Sequence, residues 1–256
     1  MRLSHVTPAI VLRAWPYGES DKIVTFLTEK YGKVTGIAKG AKRSIRRFSN
    51  SLEPFSLVNL QFQDRAHSEL AFILASDLKE SFQRLSVSLE KITLASYCVE
   101  ITAGLIGERE ESFLVFEHLK TGLAYLDKQD ASLAFLICFQ LKLLRLAGYQ
   151  PSLHNCRRCG RNHRRGEPIG WYFSPRDGGI LCQRCSASRK DTQPILGPTL
   201  DLMIDLQLDE DMRHFDRPVS SPALKEIRSA VMRFVRFHME REIKSAPFLE
   251  QFYSKE

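Results

Sequence analysis

The sequence predicts a multidomain α+β protein with a small five-stranded β-barrel at its N-terminus, an α-helical bundle behind it, and a cysteine module inserted in the bundle. Three observations predict this. Short apolar runs with period-two alternation crowd the first 76 residues, a helical period replaces them after about Leu78, and four of the six cysteines form two Cys-x-x-Cys pairs 22 residues apart. The 256 residues are 43% hydrophobic and 26% charged, ordinary for a soluble globular chain and enough for a real core without a metal. No apolar run approaches the roughly 18 residues of a membrane span, and the N-terminus shows no secretory pattern. The cytosol is therefore the expected compartment, no membrane partner is expected, and the paired cysteines read as metal ligands rather than disulfides.

The strands are expected at Ala9–Trp15 (ended by Pro16-Tyr17-Gly18), Lys22–Thr28, Lys33–Ala38, Phe55–Phe62 and Glu69–Ala75. Five short strands separated by turn residues fit a closed barrel better than an open sheet. Lys39–Leu52 is left as the long loop between the third and fourth. Leu85 to Leu105 falls mostly at helical spacing, Ser112–Leu126 and Ser132–Leu146 follow, and the last of these is apolar on nearly every side, as in a helix central to a bundle. Gly148 closes it and Pro151 prevents a restart. Beyond the cysteines a helix is expected near Thr199–Leu206, and a long one from Ser221-Pro222 to about Lys244 that returns to the bundle. The domain boundaries drawn on this basis are 1–79 for the barrel, 80–150 and 191–256 for the two parts of the helical domain, and 151–190 for the cysteine module.

The net charge is +7, and residues 1–50 hold ten basic and three acidic side chains, so this fifth of the chain carries all of it and the remainder sums to zero. From Lys30 to Leu52 there is no acid. A single-sign field this concentrated points to a polyanion; the plainer alternative is a solvated basic loop. Lys39-Gly-Ala-Lys-Arg-Ser-Ile-Arg-Arg-Phe48 combines five charges with an aromatic, suited to phosphates through counterion release. Tyr31 and Phe48 are candidates to stack on bases, although Phe48 can equally enter the barrel. Gly40-Ala41-Lys42-Arg43 does not fit a phosphate loop, which needs Lys directly after Gly and then Ser or Thr. No catalytic motif or ordered carboxylate set is found, so no enzyme activity is expected.

Cys156, Cys159, Cys182 and Cys185 supply four thiolates, a set that favours zinc and suits iron second. Four cysteines close the coordination shell, whereas catalytic zinc keeps a position open. A deaminase would place Pro before its Cys-x-x-Cys; here Asn155 and Leu181 precede the pairs. The module therefore reads as a staple, folded by metal-binding free energy of about 10–16 kcal/mol, with Trp171, Tyr172 and Phe173 as its mini-core. His154 and His163 are expected to be solvated loop residues. Arg157, Arg158, Arg161, Arg164 and Arg165 surround the first knuckle, either to touch phosphate or only to keep the module soluble. Cys98 and Cys138 sit in apolar helices as small core residues.

In this order, several stretches resemble the bacterial RecO family of DNA repair and recombination mediators. They are Ala9–Val24 (AIVLRAWPYGESDKIV), Tyr31-Gly-Lys-Val with Ala38–Arg43, Leu143–Leu153 with Cys156-x2-Cys159-Gly160, Phe173–Leu181 with Cys182-x2-Cys185, and Ile243–Leu249. The resemblance implies an N-terminal oligonucleotide-binding (OB-type) barrel, a helical domain and a structural zinc module. It implies binding of single- and double-stranded DNA, annealing of complementary strands, and contacts with RecR and with the acidic tail of single-stranded DNA-binding protein so that RecA can load, in the cytoplasm and at the nucleoid during repair. Some members lack the cysteines, consistent with a staple. By this resemblance Lys39, Lys42, Arg43, Arg46 and Arg47 fall where the family binds DNA, and Lys142 and Arg145 on the apolar helix are the candidates for the acidic tail; Lys33, in the same basic run, is also expected to bind DNA. The alternative is a zinc-ribbon RNA-binding or transcription accessory factor with the same charge logic; a nuclease would need acidic metal ligands that the basic segment does not offer.

Overall fold

The computed structural model describes residues 4–130, 132–167, 169–209, 221–239 and 241–253. The chain divides into two compact units, Met1–Asp130 and Ala131–Glu256.

In the first unit the five expected strands form, as β1 (Ser4–Tyr17), β2 (Asp21–Thr28), β3 (Lys33–Ala38), β4 (Leu57–Arg65) and β5 (Ser68–Glu80). They close into a barrel in the order β1-β2-β3-β5-β4. Two features close it. β1 is long enough to pair with β4 through Ser4–Ile10 and with β2 through Ala9–Tyr17. β3 and β5 pair in parallel at Gly36 and Ala71, where a Cβ on Gly36 would lie 2.5 Å from Ile73 Cδ1 and 2.9 Å from the Ala71 carbonyl. The interior is filled by Val11, Val24, Phe26, Val34, Leu60, Phe62 and Ile73, the inward phase of each strand.

Two strands exceed their expected lengths. Pro16 does not end β1: it stays in register opposite Lys22, beyond the stretch that β4 covers, so its missing N–H faces no partner strand. β5 continues past Leu78 to Glu80, although Asp77–Glu80 are exposed and lack the apolar alternation that marks a half-buried strand. The loop expected from Lys39 to Leu52 contains a single helical turn, α1 (Ile45–Phe48).

Helices α2 (Leu89–Leu105) and α3 (Phe113–Lys128) complete this unit. The segment joining them docks on the β2–β3 turn. The Arg109 amide donates to the Lys33 carbonyl (3.0 Å), and the Lys33 ammonium donates to the carbonyls of Ala103 (2.8 Å) and Ile106 (2.7 Å) at the C-terminal end of α2.

The second unit is built on α4 (Leu133–Leu146). The Ser132 hydroxyl accepts from the Phe135 amide at its start, and a Schellman arrangement at its end joins the Tyr149 amide to the Leu144 carbonyl and the Gly148 amide to that of Arg145. Its residues from Ala134 to Leu141 are all buried. It packs against α6 (Gly197–Leu208) and α7 (Ser221–His238). The long last helix is shorter than expected: it ends at His238, and a separate α8 (Ala246–Tyr253) follows with Pro247 in its first turn.

Between α4 and α6 lie β6 (Trp171–Ser174), β7 (Gly179–Cys182), the single turn α5 (Gln183–Ser186) and β8 (Gln193–Ile195), with the strands ordered β7-β6-β8. Trp171 and Phe173 are buried as expected, while Tyr172 is half-buried. This core is shared: the Phe173 ring meets Phe234 of α7 edge-on at 5.5 Å, and the Gln193 side chain donates to the Glu226 carbonyl and accepts from Ser229.

Gly32 combines φ +62° with a backbone so close that an added Cβ would lie 2.1 Å from the Glu110 carbonyl oxygen. Gly32→Ala is expected to lower the unfolding free energy by roughly 2–4 kcal/mol, read from urea denaturation; an unchanged midpoint contradicts this docking.

Candidate nucleic-acid interface and metal centre

Lys39, Lys42, Arg43, Arg46 and Arg47 are all exposed and lie together on the segment between β3 and β4. The segment is a folded hook. Phe48 and Leu52 insert into the barrel core, so Phe48 anchors the hook and presents no stacking face. Ser51 and Ser76 exchange hydroxyl-to-carbonyl hydrogen bonds in a buried pair. The Arg47 guanidinium donates to the Lys39 carbonyl (2.7 Å), and the Lys42 ammonium donates to the Gly18 carbonyl in the β1–β2 turn (2.8 Å).

Asp21 ties the hook to β2 by accepting from the Gly40 amide at 2.8 Å. Its carboxyl is held below the ordinary value of 3.8 by the Gly40 amide, the Ser20 hydroxyl and the charges of Lys39 and Lys42. The folded-state value is depressed, so this tie is present above the ordinary carboxylate range and is lost as the pH falls through the lowered value.

Lys33, expected among the DNA-binding residues, is at the other end of β3. At about 3.3 Å per residue it lies roughly 17 Å along the strand from Ala38, where the hook begins. Its side chain is 14% exposed and bound to the end of α2 and to Glu108. The charge run in the sequence includes it; the acceptors that occupy it are about 70 positions away and invisible to that reading. Tyr31 is at this end too, half-buried against Phe62 (5.5 Å, edge-on) and His5. Here Asp64, Glu69, Glu108 and Glu111 line a cleft of about 850 Å³ with Arg109 and Tyr31. The barrel thus has a cationic end at the β1–β2 turn and an acid-rich end at the β2–β3 and β4–β5 turns.

Sequence reasoning missed Arg13, Trp15 and Tyr17. They share the outward phase of β1 as it runs into the β1–β2 turn that Lys42 grips. The Arg13 guanidinium lies over the Trp15 ring at 4.9 Å, and Tyr17 is 53% exposed. The period-two spacing of two aromatics and an arginine was the signal available.

The four predicted ligands converge. The sulfurs of Cys156, Cys159, Cys182 and Cys185 all lie within 4.8 Å of one another, and Cys159 Sγ and Cys182 Sγ are 3.7 Å apart. A tetrahedron of thiolates with metal–sulfur bonds near 2.3 Å has edges of about 3.8 Å, so the cage fits such an ion. The knuckles are built by amides: Gly160 donates to the Cys156 carbonyl (2.9 Å) and Cys182 to Cys156 Sγ (3.4 Å). Burial pushes the Cys156 thiol up, but the amides of Cys159, Cys182 and Arg158 outweigh it and bring it down to about 6. Cys185 is pushed up to about 12 by burial and by its three sulfur neighbours. A bound cation would remove that conflict by stabilising all four thiolates. Cys98 and Cys138 are buried away from this cage, with thiols raised by desolvation.

His154 is exposed, as expected. His163 is not a solvated residue: its side chain is 3% exposed, its Nε2 lies 2.6 Å from Asp201 Oδ1, and its ring meets Trp171 edge-on at 5.6 Å. Asp201, on α6, supplies a partner that local sequence does not reveal. Lys142 and Arg145 lie three residues apart on α4, half-buried, and both already engage other groups.

Residues 1–82 match the family description "Recombination protein O N terminal", and residues 86–247 match "Recombination protein O C terminal". The chain belongs to the RecO family. It is similar to the DNA repair protein RecO of Anaeromyxobacter sp. (strain K), with 36% identity over 245 residues covering 94% of each chain. It is 33% identical to that of Thermoanaerobacter sp. (strain X514), covering 95% of this chain and 96% of the relative. With that of Syntrophus aciditrophicus (strain SB) the identity is 30%, covering 98% and 96%. The closed N-terminal barrel is the OB-type domain expected of a RecO protein. Among the described residues no helix is long and apolar enough to cross a membrane.

Loading a divalent ion into the metal-free chain is expected to release protons at pH 7, because Cys185 is protonated there, and to weaken as the pH falls toward 6, where Cys156 also gains a proton. Isothermal titration in two buffers of different ionisation enthalpy gives the proton count; a count of zero contradicts thiolate ligation.

Proposed function

We propose that this RecO-family protein is a non-enzymatic mediator that binds single- and double-stranded DNA, anneals complementary strands, and helps RecA load on DNA coated by single-stranded DNA-binding protein. The observation that carries the reading is the folded hook: five exposed cations, Lys39, Lys42, Arg43, Arg46 and Arg47, held in a fixed array at one end of the barrel. Phosphates displace their counterions on binding such an array, whatever the base sequence. The backbone of the strand lies along the hook, and unpaired bases meet Trp15 and Tyr17 on β1, where stacking is worth about 1–3 kcal/mol per base. Neutralising phosphates on two strands lowers their mutual repulsion, which is the barrier to pairing. The acid-rich end of the barrel repels the same polymer and gives the track a direction.

Zinc is the ion we assign to the cysteine cage, with Cys156, Cys159, Cys182 and Cys185 as a closed shell. Four soft donors at tetrahedral spacing support it, and its work is to fix the ribbon in place. RecR and the acidic tail of single-stranded DNA-binding protein are the protein partners. Family membership supports both, and the three-residue spacing of Lys142 and Arg145 on one face of α4 supports the tail site.

Replacing Arg43, Arg46 and Arg47 with Ala is expected to weaken DNA binding across all sequences. The slope of log affinity against log salt for single strands should become shallower by about 2, since three lost phosphate contacts count about 0.7 each. Fluorescence anisotropy over a salt series measures this, and an unchanged slope contradicts the reading. Lys33→Met is the control: it is expected to cost about 1–3 kcal/mol of stability through the unpaired carbonyls it leaves and to leave the salt slope unchanged.

A further inference from the structure

Residues 154–190 carry nine basic side chains and two acidic ones, a difference of +7. Residues 1–50 also carry +7, as does the whole chain, so the remainder sums to −7. The neutral average beyond residue 50 therefore conceals a second concentrated positive field.

Two groups stand out among these cations. Arg161 and Arg165 are neutralised: Arg161 pairs with Glu167 at 3.1 Å, and Arg165 grips both carboxylate oxygens of Asp205 on α6 at 2.9 and 2.6 Å. Four of the others, Arg157, Arg158, Arg176 and Arg189, surround one acid, Asp177, in the β6–β7 turn. Arg189 binds its carboxylate at 2.7 Å, Arg157 donates to its carbonyl at 3.2 Å, and the charge of Arg158 is felt at it. Arg176 is its exposed neighbour in the turn. The Asp177 side chain is only 9% exposed and is held by the Ser174 hydroxyl at 2.7 Å. Asp177 thus ties Arg189 through its carboxylate and Arg157 through its carbonyl, Arg158 donates to the Ser188 hydroxyl at 2.9 Å, and with exposed Arg176 the four guanidinium groups less one carboxylate leave +3 on this rim.

The chemistry of the rim selects its partner. Clustered cations bind phosphate through charge and counterion release, which guanidinium and ammonium groups share. A protein segment would need an apolar anchor as well. Among the described residues none of the large exposed apolar side chains falls between Tyr149 and Leu196, so the rim offers charge without an anchor. We propose that Arg157, Arg158 and Arg176 form a second phosphate-binding surface, which holds a nucleic-acid strand independently of the hook, so that one chain carries two strands. This rests on the reading of the hook as the first strand's site. It gives the annealing function a physical basis, because each strand is then neutralised on its own surface.

The test uses the full, metal-loaded chain and two oligothymidylate strands that cannot pair, one carrying a donor dye and one an acceptor. The unaltered chain is expected to bind both and show energy transfer. R157A/R158A/R176A is expected to hold the first strand within about twofold of the original affinity and to lose the transfer. R157K/R158K/R176K, with metal content unchanged, is expected to keep it. Undiminished transfer in the alanine variant overturns the proposal and leaves the hook's role standing. Loss of transfer in the lysine variant with metal retained also overturns it, since charge is then not the cause. A surface that loses labelled polyglutamate but keeps strand transfer is a peptide site, and the proposal fails. If R43A/R46A/R47A leaves first-strand affinity unchanged, the hook reading fails instead.

Discussion

Repulsion among five exposed cations within nine residues is the force that the N-terminal unit must contain. Left alone, Lys39 to Arg47 would spread as a loose arm. The barrel holds them by burying Phe48 and Leu52, by the reciprocal Ser51–Ser76 pair, and by the Asp21 carboxylate on the Gly40 amide. None of these anchors consumes the charges at the tips of Arg43 and Arg46. For the DNA binding proposed above, the hook is therefore already ordered, and less of its electrostatic gain would be lost to fixing the chain. Barrel closure matters for the same reason: with every strand paired on the way round, the ends and their turns remain for recognition.

The second unit separates charge from coordination in a different way. The cage turns four thiols inward, and the arginines of the same knuckles point outward. Environment alone decides the fate of each cysteine. Cys98 and Cys138 face apolar helices and hold their protons, while Cys156 receives three amides and gives its proton up near pH 6. The ribbon is fastened to the helices by Phe173 on Phe234, by Gln193 on Glu226 and Ser229, and by His163 on Asp201. An ion in the cage would therefore steady a surface that the helices already support.

Much of this was legible in the residues themselves. Strand positions followed from period-two alternation, the cage from Cys-x-x-Cys spacing, and the hook from a run without acids. What escaped needed partners distant in sequence. Lys33 belongs to the same charge run, yet its acceptors are the carbonyls of Ala103 and Ile106. His163 looked like a loop residue until Asp201 was placed beside it. Phe48 was ambiguous because burial, not composition, decides whether an aromatic anchors or stacks. Arg13, Trp15 and Tyr17 lay inside a stretch read only as a strand, and their shared outward phase took on meaning once Lys42 reached the adjacent turn. The ribbon's charge was hidden by summing over too long a segment.

The most direct test of the central claim is amide hydrogen exchange of the whole chain with and without a short single strand, resolved by segment. The account predicts protection on binding at residues 39–49 and in the β1–β2 turn, with no change in the β2–β3 and β4–β5 turns at the acid-rich end. Protection at that acid-rich end, with the hook unaffected, would contradict it.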